Sequence, residues 1–252
     1  MLTLAINLRH QRYFKNTCVI ILLDPLGGQF EPLGRILDKL TTSACDMVRV
    51  LIVGNSKFPS DIIAQNLVQS SDKILACDGA IEKCIERKIN ADYVIGDMDS
   101  LENMTIGELE KLNLQIIKID DQNNNDLTKA IIFAQELGAT RIDIIGVEGG
   151  SNQHQFASYW SILDCLIESY IHLEDCIVSS VNSTTANYSI EIGNTFSVFQ
   201  IGQCKGVIIR GSKWVIDNEE LKPSSRGLHN IATEKEIEIS CKEGQLLVFR
   251  SR

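Results

Sequence analysis

The 252-residue chain has no apolar run long enough to cross a bilayer: its longest, Cys18 to Leu23, is cut by Asp24 and Pro25. A spanning helix needs roughly 18 to 20 such residues, so the sequence reads as soluble, with no membrane partner. Basic residues are also few, 24 against 33 acidic, for a formal charge of -9. Phosphate backbones and anionic lipid recruit basic surfaces, so nucleic acid is an unsuitable partner and a metal or a cationic ligand a better one. The eight cysteines form no C-x-x-C and no Cys/His cluster at zinc spacing. They read as reduced, mostly buried thiols of a cytoplasmic protein. Neither G-x-x-x-x-G-K-[ST] nor G-x-G-x-x-G occurs, which removes support for a P-loop or an ordinary dinucleotide fold. No Ser/His/Asp order or cysteine nucleophile context stands out.

What is present is an alternation. From Val48, short apolar runs and amphipathic segments follow one another: VRVLIV, a helix from Asp61, KILA, a helix from Ala80, YVI, and a helix over Leu101 to Leu112. QIIKI (115–119), a helix from Asp126 to Leu137, RIDII (141–145) and a helical pattern from about Phe156 to Tyr170 continue it. This order predicts an α/β fold with a parallel sheet. Leu127, Ala130, Ile131, Ala134 and Leu137 share one helical stripe, and Gly138 supplies the stop. After Cys176 the texture becomes period-2 runs separated by Gly, Asn, Asp and Ser, which predicts a small antiparallel β-sandwich. Its core, from about 70 residues, is thin, so it should lean on the α/β domain or on a second subunit. The expected organisation is residues 1–47 as an N-terminal extension, 48–175 as an α/β catalytic domain and 176–252 as the sandwich. The extension lacks acids before Asp24 and carries Arg9, Arg12 and Lys15, as a presequence would. Cys18 to Leu40 also reads as strand, Pro/Gly loop and helix, and an added β-α unit is the favoured reading. Met47, just before VRVLIVGN, is a third possibility, a later start.

Between Asp97 and Asp126, eight acids and two lysines place -6 of the chain's -9 in thirty residues. In G-D-M-D-S, Asp97 and Asp99 follow a strand at i and i+2, where an extended backbone sends both side chains to one side. Two such carboxylates repel unless a cation joins them, and Mg²⁺ is typically held by one or two carboxylates with water and phosphate. Gly96 would allow a tight turn, and Ser100 would N-cap the next helix. A turn whose aspartates only cap that helix explains the spacing as well. Asp121, Gln122 and Asp126 lie past the end of QIIKI, where open α/β sheets bind ligands. Lys129 follows Asp126 at i+3, placed either to meet a phosphate or to form a plain surface pair. Asp78 and Gly79 in C-D-G-A mark a third strand end or an ordinary turn. G-V-E-G-G-S-N-Q-H-Q marks a fourth, with Gly150 and Ser151 able to approach phosphate.

Taken together, C-D-G-A at 77–80, G-D-M-D-S at 96–100, D-Q-N-N-N-D-L-T-K at 121–129, G-G at 149–150, G-S-K-W at 211–214 and G-L-H-N at 227–230 resemble the thiamin pyrophosphokinase family. Order and spacing agree over about 48–252. The resemblance implies transfer of diphosphate from ATP to thiamin, giving thiamin diphosphate and AMP, by a homodimer with sites between subunits. It implies Asp97, Asp99 and Asp126 as Mg²⁺ ligands, with Lys129 balancing charge. It further implies ATP contacts at Asp78, Gly79, Ser100, Asp121, Gln122, Gly150 and Ser151, and thiamin contacts at Gln122, Trp214, His229 and Asn230. Trp214 could stack on the thiamin cation or fill the sandwich core. The chain departs from the family's G-G-R-x-D-H: Ser151 replaces a phosphate-contacting arginine and Gln153 an aspartate. Asn125 stands where threonine is usual, and His229 where serine precedes Asn230. Two alternatives follow from these departures: a pyrophosphokinase for another alcohol such as a pterin, and a non-catalytic nucleotide- or thiamin-binding homologue.

Overall fold

The computed structural model describes residues 47–99 and 114–252 and, as backbone strands, 3–7 and 18–22. Contacts divide the chain into two units, Met1–Asp46 and Met47–Arg252. In the first unit β1 (Thr3–Asn7) pairs antiparallel with β2 (Cys18–Leu22). The strand expected from Cys18 is therefore present. The loop and helix expected up to Leu40 lie outside the described residues.

The second unit is built on one thirteen-stranded sheet. Its parallel part has the order β8-β7-β3-β4-β5-β6, from Glu168–His172, Arg141–Ile145, Arg49–Val53, Lys73–Cys77, Tyr93–Gly96 and Gln115–Lys118. β3, β4 and β7 are buried at nearly every position, the signature of strands covered on both faces. The helices are α1 (Asp61–Gln69), α2 (Ile81–Glu86), α3 (Asp126–Glu136) and α4 (Asn152–Ser161). Leu127, Ala130, Ile131 and Ala134 of α3 are buried as its stripe requires, and Gly138 follows at φ +81°. No helix among the described residues is long and apolar enough to cross a membrane. The helix expected over Leu101 to Leu112 lies outside the described residues.

The helical pattern from Phe156 to Tyr170 is overturned. α4 stops at Ser161, and 168–172 is β8, parallel to β7. Just past the end of α4, distant side chains take the carbonyls that a longer helix would use. Ser180 donates to the Ile162 carbonyl at 3.0 Å and Gln245 to that of Leu163 at 3.0 Å, with Asn182 also on Leu163. Those donors belong to strands that arrive later in the chain, so local periodicity carries no trace of them.

At β9 (Cys176–Asn182) the sheet turns antiparallel, and β9 joins β8 to β15 (Glu243–Ser251). The change of sequence texture at 176 is thus a change of strand direction within one sheet. FSVFQI and GVIIRG are one sixteen-residue strand, β11 (Thr195–Arg210). Its first half pairs with β15 and with β13 (Asn230–Ile231). Its second half pairs with β12 (Ile216–Leu221) and with β14 (Glu236–Ser240), which also holds the edge strand β10 (Thr185–Ser189). The register on β15 shifts between Ile201 and Lys205. Phe196, Val198, Ile209, Ile237 and Leu246 join a second apolar core here. KWVI contributes only Ile216 to a strand, since Trp214 and Val215 lie before it and are exposed.

Candidate functional site

A cavity of about 550 Å³ lies beyond the carboxyl ends of the parallel strands. It is centred where the strand order reverses: the chain passes from β3 to β4, β5 and β6 on one side, then returns to β7 on the other. Ligands of open α/β sheets bind at such a switch point. Gly54 after β3 and Gly146 after β7 meet there backbone to backbone. A Cβ on Gly146, whose φ is +73°, would stand 2.3 Å from the Gly54 carbonyl oxygen. This close seam leaves backbone alone lining the cavity between the two strands.

Asp78 is 1% exposed, and both its oxygens are in use: Oδ1 accepts from the Gly79 N–H at 2.6 Å and Oδ2 from the Met98 N–H at 3.0 Å. It therefore ties the end of β4 to the loop after β5. Gly96 is needed for this contact rather than for a turn, since a Cβ there would lie 2.6 Å from the Asp78 carboxyl carbon. The turn belongs to Met98, at φ +69°. That left-handed residue breaks the extended geometry expected of Asp97 and Asp99. Asp97 lines the cavity, whereas Asp99 is exposed and outside its lining, with its N–H on Asp97 at 3.2 Å.

Asp121, Gln122 and Asp126 line the same cavity. Asp121 accepts from the Asn123 N–H at 2.8 Å and from the Asn124 amide at 2.6 Å, and these bonds hold its carboxyl below the usual carboxylate range. Asn125 N-caps α3 by accepting from the Thr128 N–H at 2.8 Å, so it does the work threonine would do there. Lys129 reaches Asp126 at 2.9 Å and is 3% exposed, which removes the surface-pair reading. Burial alone would lower its ammonium, but Asp126, then Asp97 and Asp121, outweigh burial and raise it. Asp78 moves upward too, first through burial and then through the charges of Asp126 and Asp97. The cavity thus holds four aspartates against one buried lysine among the described residues lining it.

The glycine segment is placed differently from expectation. Gly146 and Val147 line the cavity, while Gly150 and Ser151 stand outside its lining. Gly149 and Gly150, at φ +71° and +69°, lead into α4, whose N-cap is Ser151. Ser151 accepts from the His154 N–H at 3.3 Å and donates to Gln153 Oε1 at 2.7 Å. Ser100 lies outside the described residues. Trp214, His229 and Asn230 are not among the cavity's lining. Trp214 is 52% exposed, which overturns its reading as a core residue. Asn230 is the buried one: it accepts from the Trp214 N–H at 3.1 Å and donates to the Trp214 carbonyl at 2.8 Å and to Ser212 at 3.1 Å. His229 is exposed at φ +60°.

Sequence reasoning missed Gly54, Asn55 and Ser56, which line the cavity from the end of β3, although a G-N-S following an apolar strand was a visible signal. His154 and Ser158 line it from α4. The cysteines described are free and mainly buried, and burial pushes the thiols up, that of Cys84 to about 12, as expected of inert thiols.

These features define an α/β protein with a mixed sheet and an acidic, lysine-containing cavity at its switch point. Residues 64–173 match the family model of the thiamin pyrophosphokinase catalytic domain. Solved structures agree in fold. The thiamine pyrophosphokinase of Bacillus subtilis has a TM-score of 0.67 at 16% identity, over 81% of this chain and 98% of that one. That of Geobacillus thermodenitrificans has 0.68 at 18%, over 81% and 98%, and that of yeast 0.65 at 16%, over 86% and 90%. No curated protein sequence matches. Residues 64–173 are thus similar to the thiamin pyrophosphokinase catalytic domain, and the fold is that of the solved thiamin pyrophosphokinases.

Proposed function

We propose that this protein moves the β,γ-diphosphate of ATP onto the hydroxyl of thiamin, giving thiamin diphosphate and AMP. The observation that carries this reading is the convergence of Asp78, Asp97, Asp121 and Asp126 around buried Lys129 at the switch point, within the segment that matches the catalytic-domain model. Phosphoryl-type transfer asks for positioning and charge neutralisation more than for covalent chemistry.

Among the described residues no three His, Cys, Asp or Glu side chains are grouped closely enough to enclose a metal unaided. Mg²⁺ does not need three: one or two carboxylates suffice when phosphate and water complete the octahedron. Asp97 and Asp126 fit that demand, since both line the cavity and Asp126 stands 2.9 Å from the Lys129 ammonium. Bound there, Mg²⁺ would neutralise phosphate charge. Asp78 acts by positioning, because one of its oxygens holds Met98 in the loop that presents Asp97 while the other is taken by Gly79. Lys129 offers its ammonium to the transferred phosphates, and one aspartate accepts the thiamin hydroxyl proton. Asp121 and Gln122 border the acceptor and nucleotide contacts. Asp99, Ser100, Gly150 and Ser151 are secondary contacts in this reading. The parallel part of the sheet holds the nucleotide, and Trp214, His229 and Asn230 belong to a thiamin-facing surface that reaches the site of a partner in a cytoplasmic homodimer.

The test is purified protein with ATP, Mg²⁺ and thiamin, scored for AMP and thiamin diphosphate together. AMP without thiamin diphosphate would point to another acceptor. Nucleotide binding with neither product would point to the non-catalytic homologue.

A further inference from the structure

The acidic cavity lies at the carboxyl ends of the parallel strands, and a separate cleft of about 380 Å³ opens at the amino end of β8, on the opposite edge. Strand pairing creates it. β8 and β9 pair only from Tyr170 to His172 and from Ile177 to Ser179, although β8 begins at Glu168 and β9 runs to Asn182. Before Tyr170, Glu168 and Ser169 stay on β7, while Ser180, Val181 and Asn182 stay on β15. The sheet therefore forks, and β10 borders the fork with Thr185 to Tyr188.

Ser169, Ser179, Ser180, Thr184, Thr185 and Tyr188 line this fork with hydroxyl side chains, and Asn182 and Asn187 add amides. Among the described residues, exposed Glu168 is the one carboxylate in the lining, and no Lys, Arg or His joins it. The walls are held in place. Tyr188 meets Ser179 at 2.9 Å, and Ser180 and Asn182 donate to the Ile162 and Leu163 carbonyls. Arg250 lies over the Tyr188 ring at 4.2 Å and Arg141 over that of Tyr170 at 4.4 Å, so one face of each ring is covered. Two polar atoms are left over. Ser169 is 4% exposed, and its Oγ has no partner among the described residues beyond a weak contact with the Cys165 thiol. Asn182 Oδ1, also buried, accepts from none of them. Such atoms are costly to leave unpaired.

We propose that this fork binds a small neutral polyol, a sugar or a cyclitol. The assignment does not rest on the transferase reading. A lining without bases gives an anion no partner, and a single exposed carboxylate is a poor cage for a divalent cation. Small-molecule pockets of roughly 300–1,000 Å³ are mostly apolar, so a lining of hydroxyls and amides selects a ligand that is polar all round. Hydroxyls both donate and accept, as those of a polyol do, and a ligand O–H is the donor that Asn182 Oδ1 lacks.

The test is titration of isotope-labelled protein with myo-inositol and with D-glucose, followed by amide chemical shifts. At least one compound should give saturable shifts confined to residues 165–170 and 179–188. Ser169→Ala removes a buried hydroxyl without adding bulk, and Asn187→Ala trims an exposed side chain, so both variants should fold, which circular dichroism checks. Each should bind about fivefold more weakly, the scale of one hydrogen bond. Unchanged affinity in both variants would overturn the site. Failure of both compounds to bind saturably would do so as well, as would shifts spread over the whole chain or centred on the acidic cavity.

Discussion

Asp78 and Asp143 are both buried aspartates on the same parallel sheet, at 1% and 0% exposure, and they are balanced in opposite ways. Asp143, within β7, accepts from Arg49 at 3.0 Å, from Arg141 at 2.9 and 2.8 Å, and meets His172 Nε2 at 2.8 Å. Burial alone would raise its carboxyl, but His172 and Arg141 overcome that and hold it far below the usual range. Asp78 has two backbone N–H groups and carboxylate neighbours, and burial followed by Asp126 raises it. The first region is complete in itself. The second gathers further carboxylates around one buried lysine, and that acidic surplus, rather than burial, distinguishes the two regions.

The comparison breaks most sharply by turnover. Asp97→Asn and Asp126→Asn should each lower turnover by about a hundredfold or more, the scale of losing one charge-stabilising group in a site. The melting temperature of Asp97→Asn should hold or rise, since Asp78 then faces one like charge fewer, whereas that of Asp126→Asn should fall, since buried Lys129 loses its partner. AMP release and thermal melts on the same preparations check both halves. Unchanged turnover in both variants would remove the carboxylates from the chemistry.

Asp143→Asn should do the reverse, lowering stability by about 3 kcal/mol while turnover per folded molecule stays within about twofold, because it strands Arg49 and Arg141 beside a buried neutral group. Linkage fixes the pH signature. A depressed folded pKa means that stability is fully present above the unfolded value of 3.8 and is lost as pH falls toward the folded one. Asp78, raised in the fold, contributes the opposite slope as pH falls through its folded value. Urea unfolding between about pH 3 and pH 6 should therefore show a flatter acid limb for Asp143→Asn than for the wild type. An identical limb would mean that Asp143 is not held by its partners.

Gly146→Ala tests the seam beneath the cavity. Alanine at φ +73° with its Cβ 2.3 Å from the Gly54 carbonyl must push β3 and β7 apart, at about 1–3 kcal/mol. Gly149→Ala, at a similar φ of +71° but with only a Lys57 side-chain atom at 3.9 Å, carries the backbone strain without the collision. The first should raise KM for ATP and the second should not. Equal KM values would place the seam outside the nucleotide's reach.

The residues of the cavity that could be read from sequence are those tied to a local signal. Asp78, Asp97 and Asp121 come just after apolar runs, which parallel strands deliver to one edge of the sheet, and Asp126 opens the helix that follows Asp121. Lys129 was legible by its i+3 spacing, although not by its burial. What local pattern did not reveal depends on distant groups. Met98 takes a left-handed backbone because Asp78, twenty residues away, claims its N–H, and that one dihedral separates Asp99 from Asp97. α4 ends just before Ile162 and Leu163, whose carbonyls Ser180 and Gln245 take. Trp214 is exposed because Asn230 fixes its backbone outside the strand that KWVI suggests.

The smallest effect concerns Ser151, where a cation would complete the contrast between the two aspartate regions. Ser151 is exposed and caps α4, and the neighbouring Gly150 faces Ser56 at the cavity rim, with a Cβ on Gly150 3.3 Å from Ser56 Oγ. An arginine there has open space and a long side chain that can turn toward the phosphates. It loses the cap, at about 1 kcal/mol, and sets a cation at a helix N-terminus, at about 0.5 kcal/mol. If the cavity lacks a positive charge, Ser151→Arg should melt slightly earlier and yet raise kcat/KM for ATP by about tenfold, or roughly 1.4 kcal/mol of transition-state stabilisation. The opposite signs are the point of the experiment, since a stabilising repair of the helix cannot produce both. A folded variant with unchanged or lower kcat/KM would show that Lys129, with whatever cation Asp97 and Asp126 hold, already balances the bound phosphates.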